Sequence, residues 1–160
     1  NEHIPLFSEV LRFVNGKVPI VIELKYDTKC GFLEDKVLEI LKDYKGKYAI
    51  KSFNPLTVNY LRKKAPNVIR GQLSSDFKDD KINILKKMFI RSMVYNFITK
   101  PDFISYDIRA LPSKKIKRLR KKKLIMAWTI RDKKSYTNAL DTCDTFIMED
   151  IEEVINSKDN

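Results

Sequence analysis

The sequence contains few of the residues that mark several well-defined classes of protein. Its 160 residues include four glycines, two cysteines and one histidine. So few glycines argue against an all-β fold built from many tight turns. Cys30 and Cys143 lie far apart, without a cysteine or histidine nearby at metal-ligand spacing, so neither a zinc site nor a disulfide framework is indicated. Both cysteines are expected to be ordinary thiols in a reducing compartment.

Long apolar segments are also absent from the sequence. No apolar run approaches the length of about 18 residues that a membrane-spanning helix needs. The first three residues, Asn1, Glu2 and His3, lack the basic and apolar regions of a secretory signal. We therefore expect a cytoplasmic protein, with peripheral association with a membrane left open. This expectation depends on Asn1 lying near the natural N-terminus.

The composition that is present favours one folded domain with anionic partners. Hydrophobic residues make up 43% of the chain and aromatic residues 11%, which excludes a disordered chain and supplies a core. The 32 lysines and arginines outnumber the 21 aspartates and glutamates, which gives a net charge of +11. Such a charge attracts phosphate esters, phospholipid surfaces or nucleic acid.

The apolar pattern alternates between strand-like and helix-like segments along the whole chain. The predicted strands cover residues 18–25, 48–53, 68–73, 102–107, 124–130 and 145–148. The predicted helices cover residues 8–14, 32–44, 56–65, 82–98, 111–122, 132–140 and 151–155, and we expect Ser8 to cap the first and Pro55 to open the third. Six strands that alternate with helices indicate an α/β fold with a parallel sheet.

The first predicted strand ends in two charged residues of opposite sign. Four β-branched residues in the near-continuous apolar run 18–22 are typical of a strand that is covered on both faces. Because side chains alternate across a strand, Glu23 and Lys25 point to the same side, roughly 6–7 Å apart along the chain. The carboxyl ends of parallel strands are where α/β proteins build their sites. The alternative is a salt-bridged strand end at the surface.

Polar residues at the other strand ends favour a barrel over an open sheet. No glycine-rich turn follows any strand, so a dinucleotide-binding or P-loop sheet has no support. The polar and aromatic residues at strand ends are Glu23, Lys25, Ser52, Gln72, Ser105, Asp107, Trp128, Thr129 and Glu149. A barrel site draws one or two residues from many strands in this way. Six strands, however, do not close the usual barrel of eight.

Five short segments, in order along the chain, carry a resemblance to a known family. They are Ile-Pro-Leu-Phe-Ser-Glu-Val-Leu at 4–11, Ile-Glu-Leu-Lys at 22–25, Ser-Phe-Asn-Pro at 52–55, Pro-Asp-Phe-Ile-Ser-Tyr-Asp at 101–107 and Ala-Trp-Thr at 127–129. Their order and spacing resemble the C-terminal two-thirds of the glycerophosphodiester phosphodiesterase family. The resemblance covers nearly the whole chain.

This resemblance implies a fold and a reaction. The fold is a TIM (β/α)8 barrel, of which residues 1–160 would form a single domain, a partial barrel with strands 3 to 8 and their helices. The reaction is hydrolysis of glycerophosphodiesters to glycerol 3-phosphate and an alcohol, with a divalent metal, Ca²⁺ or Mg²⁺, as cofactor. By the same resemblance, Glu23 matches a metal-ligand glutamate, Lys25 a lysine that binds the substrate phosphate, and Trp128 the aromatic wall of the pocket.

The chemistry of these residue types suits those roles. A hard divalent cation prefers carboxylate oxygens such as those of Glu23. The ammonium of Lys25 would stabilise negative charge on a phosphoryl oxygen. Trp128 would pack against the glycerol carbons of the substrate; the alternative is that its ring packs partly in the core. The candidate pocket residues are Ser52, Gln72 and Ser105, with a hydrogen-bonded strand end as the alternative for Ser52.

The N-terminal part of the family pattern has no counterpart in this sequence. The family carries His-Arg-Gly, Glu-x-Asp and a further histidine in its first strands, and none of these occurs here. His3 is the only histidine, and no catalytic residue is assigned. We therefore expect a fragment that is inactive alone. Its open sheet edges would pair with missing N-terminal barrel strands or with a second copy of the chain.

A second function is indicated by the ten residues from Lys114 to Lys123. Eight of them are basic, and Ile116 and Leu119 give the segment a narrow apolar stripe. A basic amphipathic helix of this kind could make the chain a non-catalytic module that binds an anionic phospholipid surface or nucleic acid. Nucleic acid is the less favoured partner, because no aromatic residues are interleaved for base stacking. The alternative is a solvated outer helix whose stripe packs on the sheet.

Overall fold

The structure is a computed structural model that describes residues 3–25, 30–76 and 95–156. The strands are β1 (Ile20–Glu23), β2 (Tyr48–Ser52), β3 (Ile69–Ser74), β4 (Phe103–Asp107), β5 (Leu124–Ile130) and β6 (Thr145–Met148). The helices are α1 (Phe7–Val14), α2 (Phe32–Leu41), α3 (Pro55–Lys64), α4 (Asn96–Thr99), α5 (Lys114–Arg120), α6 (Lys133–Thr142) and α7 (Ile151–Asn156), with a 3₁₀ turn at Ile108–Ala110.

The six strands form one parallel sheet whose order in space is β1-β2-β3-β4-β5-β6. The sheet curls into a half-barrel. The predicted α/β class and the partial TIM barrel are therefore confirmed. Among the described residues, no helix is long and apolar enough to cross a membrane.

The helices pack on one face of the sheet, where two apolar clusters form the core. The first cluster joins β1 and β2 to the neighbouring helices and contains Leu11, Leu24, Val37, Leu41, Ile50 and Leu61. The second joins β4 and β5 to α5 and α6 and includes Ile104, Ile116, Ile125, Ala127 and Ala139. Each fully buried Leu or Ile contributes about 1.5–3 kcal/mol, so this side of the sheet supplies most of the hydrophobic stabilisation.

Side-chain caps set where several helices begin. The Asn54 side chain accepts a hydrogen bond from the Leu56 N–H (3.0 Å), and Pro55 opens α3 as predicted. Asp132 caps α6 by accepting from the Ser135 N–H at 2.8 Å. These short polar residues satisfy amide donors that the first turn of a helix leaves unpaired. They therefore fix the position of each helix relative to the strand before it.

The structure corrects the prediction for the first strand. The predicted strand 18–25, covered on both faces, is instead the shorter β1, and Val21 is 42% exposed. The reason is position: β1 pairs only with β2 in the described sheet, and the side chains that face away from the helices are left open. Burial on both faces was therefore wrong for this strand.

Three helix predictions also differ from the structure. Leu6 rather than Ser8 is the N-cap of α1, because the Glu9 carboxylate reaches back to the Leu6 N–H at 2.7 Å. The helix predicted at 111–122 is shorter, Lys114–Arg120, because the backbone stays extended until Ser113, which is its N-cap. The helix predicted at 82–98 falls largely on residues 77–94, outside the described residues, and α4 covers its end.

Candidate functional site

The face of the sheet opposite the helices, which we call the concave face, carries most of the polar residues predicted for the site. Along β2 and β4, Ile50 and Ile104 belong to the helix-side clusters. Because side chains alternate along a strand, Lys51 and Ser105 face the other way. Asp107 lies two residues beyond Ser105 and shares its face. The carboxyl ends of these strands therefore bring charged groups together at one end of the half-barrel.

Glu23 and Lys25 lie on the open side of β1, at its carboxyl end. Leu24, between them, is 5% exposed and packs in the helix-side cluster, while both of its neighbours are exposed. The Leu24 N–H also donates to the Lys51 carbonyl at 2.9 Å, which continues the strand geometry past Glu23. This arrangement agrees with the alternation that placed the two charges on one side. Their roles stay predictions.

Lys51 is a charged residue of the site that sequence reasoning missed. It pairs in register with Glu23 on the neighbouring strand, and it is only 4% exposed. Its ammonium donates to the Ser105 hydroxyl across 3.5 Å. Burial lowers the pKa of Lys51, and the nearby Glu23 carboxylate partly opposes that shift. A buried cation therefore lies beside the predicted metal ligand.

Gly71 makes room for this arrangement on β3, which separates β2 from β4. Lys51, Gly71 and Phe103 are consecutive register partners across the three strands. A Cβ atom on Gly71 would lie 2.3 Å from the Phe103 ring, so the ring occupies the space that a side chain would take. On the neighbouring strands, the Lys51 ammonium of β2 contacts the Ser105 hydroxyl of β4.

Asp107 is a second buried carboxylate on this face, and its oxygens already have partners. It is 2% exposed, and its Oδ2 lies 2.7 Å from the Arg109 guanidinium. The Arg109 N–H donates to the other oxygen at 2.9 Å, and the Ser75 hydroxyl donates to Oδ2 at 3.3 Å. The guanidinium therefore compensates the Asp107 charge and holds the end of β4.

Trp128 forms an aromatic wall together with Phe53. The two rings meet edge to face with centroids 5.6 Å apart, which joins the ends of β2 and β5. The Trp128 indole N–H is buried and has no hydrogen-bond partner among the described residues. Trp128 is thus partly a packing residue, as the alternative prediction had it, and its free donor also fits a residue that contacts ligand.

Ser52 and Gln72 tie strand ends together rather than facing the site. Ser52 is fully buried, and its hydroxyl donates to the Leu24 carbonyl at 2.7 Å. The Gln72 amide donates to the Ser52 and Phe53 carbonyls at 3.2 and 3.0 Å. Both lie on the same side as Ile50, away from the concave face. The hydrogen-bonded strand end that was the alternative for Ser52 is what the structure contains.

The basic segment 114–123 consists of α5 and the three residues after it, on the helix side of the sheet. Ile116 is 1% exposed and Leu119 packs beside it, so the apolar stripe is already part of the second cluster. Arg120 pairs with Asp144 at 2.9 Å. This arrangement matches the solvated outer helix that was the alternative interpretation. Binding of lipid or nucleic acid by the remaining charges stays a prediction.

The described residues fit a divalent metal only in part. Glu23 offers an exposed carboxylate, the donor that a hard cation prefers. No group of three His, Cys, Asp or Glu side chains within 3–25, 30–76 and 95–156 is arranged to hold an ion. Glu23 would therefore be one ligand, and the others would come from outside the described residues.

Comparison with known proteins places the fold. No protein-family model and no curated protein matches the sequence. Among solved structures, a protein from Galdieria sulphuraria provisionally named a glycerophosphodiester phosphodiesterase matches with a TM-score of 0.72 at 13% identity, over 93% of this chain and 61% of its own. The glycerophosphodiester phosphodiesterase of Parabacteroides distasonis matches with a TM-score of 0.71 at 15% identity, over 94% and 62%.

A third match extends the same comparison. The glycerophosphodiester phosphodiesterase of Thermotoga maritima matches with a TM-score of 0.62 at 21% identity, over 90% of this chain and 59% of its own. The chain thus spans about three fifths of the length of these proteins. The family to which the sequence segments pointed is the one to which the structure is similar. This chain therefore shares its fold with the glycerophosphodiester phosphodiesterases over about three fifths of their length.

Proposed function

We propose that this chain is the C-terminal portion of a metal-dependent hydrolase that converts glycerophosphodiesters to glycerol 3-phosphate and an alcohol. One observation carries the proposal: Glu23 and Lys25 flank the buried Leu24 at the carboxyl end of β1, so a carboxylate and an ammonium share the open side of the half-barrel. The similarity of fold to phosphodiesterases supports the choice of reaction.

Each residue has a distinct task in this proposal. Glu23 would hold a divalent cation, Ca²⁺ or Mg²⁺, through its carboxylate. Bound there, the cation would withdraw charge from a phosphoryl oxygen of the substrate. Lys25 would bind a second phosphoryl oxygen and stabilise the negative charge that builds during P–O cleavage. Trp128, braced by Phe53, would pack against the apolar edge of the glycerol.

The open edges of the sheet indicate what the active form requires. In the described sheet β1 pairs only with β2, and β6 pairs only with β5. Unpaired strand edges attract further strands. We propose that missing N-terminal barrel strands, or a second copy of the chain, cover these edges and supply the remaining metal ligands and the catalytic histidines. The 160 residues alone should then be inactive. Size-exclusion chromatography should show oligomers or aggregates rather than a compact monomer.

The decisive experiment replaces the proposed metal ligand in the intact protein. Glu23→Gln keeps the shape of the side chain and removes its charge. We expect hydrolysis of glycerophosphocholine to fall by at least about 100-fold, with the unfolding midpoint little changed. Chelation of the metal with EDTA should abolish activity of the unchanged protein, and Ca²⁺ or Mg²⁺ should restore it.

A matched control uses Glu39, an exposed glutamate on α2 that pairs with Lys36 at 2.9 Å. Glu39→Gln should leave turnover unchanged, because this carboxylate lies on the outer surface. Hydrolysis that survives Glu23→Gln would remove Glu23 from the ligand set. Hydrolysis that is insensitive to EDTA would overturn the metal-dependent reaction itself.

A further inference from the structure

Lys51 is a buried cation with too few partners. Its side chain is 4% exposed, yet the ammonium carries three N–H donors. Among the described residues its one hydrogen bond is to the Ser105 hydroxyl, and at 3.5 Å that contact is at the outer limit of a hydrogen bond. Burying a charge with so little compensation is costly, and a ligand that supplies further acceptors would reduce that cost.

The position of Lys51 places its ammonium inside the candidate site. The Lys51–Ser105 contact bridges β2 and β4 over Gly71. Two residues further along, the Phe53–Trp128 contact bridges β2 and β5 on the same face. The two contacts are therefore consecutive layers along β2, with Lys51 two residues before Phe53.

A second donor in the neighbouring layer also lacks a partner. The Trp128 indole N–H is buried and unpaired among the described residues. An ammonium and an indole N–H are both donors without acceptor capacity, so the ligand that satisfies them has to present acceptors. Among the described residues, Glu23 and Asp107 are carboxylates that lie on this face. Asp107 is already compensated by Arg109, and Glu23 lies at the exposed edge.

We propose that Lys51 is an additional phosphate-binding residue, whose ammonium holds an oxygen of a phosphate ester from inside the half-barrel while Lys25 approaches it from the rim. This assignment rests on the proposed function for the identity of the anion as phosphate. The class of ligand is a phosphomonoester or phosphodiester, or inorganic phosphate itself. Two cations on opposite sides of one phosphate would compensate a doubly charged phosphomonoester more fully than a singly charged phosphodiester or carboxylate.

Binding measurements on the intact protein test the assignment. Inorganic phosphate and glycerol 3-phosphate are titrated by calorimetry into the unchanged protein and into Lys51→Met, which keeps an unbranched side chain one atom shorter and removes its charge. We expect the affinity for both to fall by about ten-fold or more. Lys51→Arg, which preserves the charge, should recover a large part of the loss.

Lys47 provides the matched control, because it is exposed and precedes the same strand at the opposite end of the sheet. Lys47→Met should leave phosphate affinity unchanged. A spectroscopic readout adds a direct criterion: the NMR signals of the Lys51 side chain should shift when inorganic phosphate is added at constant pH. A merely structural lysine would not respond to phosphate.

The outcomes separate this assignment from the proposed reaction. If Lys51→Met weakens phosphate binding but glycerophosphocholine is never hydrolysed, the phosphate site stands and the reaction falls. If Lys51→Met leaves phosphate affinity and kcat/KM unchanged while Glu23→Gln abolishes turnover, the reaction stands and Lys51 is only the counter-ion of Glu23.

Discussion

Two groups of basic residues in this protein differ in what surrounds them. The segment 114–123 carries eight cations, on α5 and the three residues after it, and residues such as Lys117 and Lys121 are exposed to water. Lys51 is a single cation, 4% exposed, on the concave face. Charges in water are screened by solvent and salt, whereas a buried charge interacts strongly with whatever lies near it. The single buried charge of Lys51 should therefore interact more strongly with a nearby ligand than any one of the eight charges of the basic segment.

The contrast shows where the sequence draws attention and where the structure does. A net charge of +11 predicts anionic partners, and the dense run 114–123 is its most visible source. The apolar stripe of that run packs in the core, and exposed cations such as Lys117 and Lys121 remain in water, whereas Arg120 is paired with Asp144. The cation that water does not compensate lies instead beside Glu23. If this comparison is right, removing the buried charge of Lys51 should raise stability and weaken ligand binding. Removing a charge of the basic segment should lower stability or leave it unchanged.

The largest effect is expected from filling the space at Gly71. In Gly71→Ala, the new methyl group would lie 2.3 Å from the Phe103 ring, and the ring and its neighbours have to move. We expect the free energy of unfolding to fall by about 1–3 kcal/mol, the usual cost of overpacking a buried site. Urea denaturation measures it. The double variant Gly71→Ala with Phe103→Leu should recover part of the loss, and a neutral Gly71→Ala would show that the concave face is loosely packed.

Within the basic segment, Arg120 should differ from its neighbours. Its guanidinium donates to Asp144 Oδ1 (2.9 Å) and to the Asp141 and Cys143 carbonyls (2.7 and 2.6 Å). Arg120→Met should lower the free energy of unfolding by about 1–2 kcal/mol, because it removes these bonds to the end of α6. Lys117→Met should stay within about 0.5 kcal/mol of the unchanged protein. Equal losses in thermal denaturation would contradict the distinction between anchored and solvated charges.

Lys51→Met should stabilise the protein while it weakens binding. Burial lowers the pKa of Lys51, so its charged form is disfavoured in the folded state. Removing that charge should raise the free energy of unfolding at pH 7 by on the order of 1 kcal/mol. The unfolded chain holds the proton more tightly, so the stability of the unchanged protein should rise as pH increases from the lowered pKa towards the ordinary lysine value of about 10.4.

The pH dependence is measured as a difference between the two proteins. Urea denaturation at pH 7 and at pH 9.5 should show that the stability advantage of Lys51→Met shrinks at the higher pH. At pH 9.5 a larger fraction of the Lys51 amines is neutral, so fewer charges have to be buried when the unchanged protein folds. An advantage that is constant with pH would mean that packing, and not charge, separates them.

The smallest effect concerns the outer helix and membranes. Lys117→Gln should weaken binding to vesicles containing phosphatidylserine by less than about 1 kcal/mol, the contribution of one charge near an anionic surface. Because no apolar stripe is free to insert, all binding should disappear at about 1 M salt, where the screening length is about 3 Å. Vesicle co-sedimentation at two salt concentrations is sufficient. Binding that survives salt would indicate an apolar contact that the described helix does not offer.

Sequence reasoning succeeded where one face of an element was unambiguous. Glu23 and Lys25 flank a leucine, so the period of two places both charges opposite the apolar residue. The strands β5 and β6 coincide with their predicted bounds, because β-branched and apolar residues run between clear breaks. The overall rhythm of strands and helices likewise depends only on local pattern.

Sequence reasoning missed Lys51 on β2 for a physical reason. Lys51 and Ser52 are adjacent polar residues, so neither face of the strand reads as the apolar one at that point. The signal that could have resolved it is Ile50, whose place among helix-facing apolar residues puts Lys51 on the other side. The contact of Lys51 with Ser105, and the packing of the Phe103 ring over Gly71, join residues of different strands, and such packing is not encoded in any local pattern.

The order of the described strands in space repeats their order along the chain. Each strand therefore pairs with the strand synthesised just before it. The sheet can form during translation, in the order of synthesis, without pairing of segments that are remote in sequence. Every added unit leaves a fresh edge exposed until the next one arrives. Speed of synthesis, more than any distant contact, should then govern how long this protein is vulnerable to aggregation.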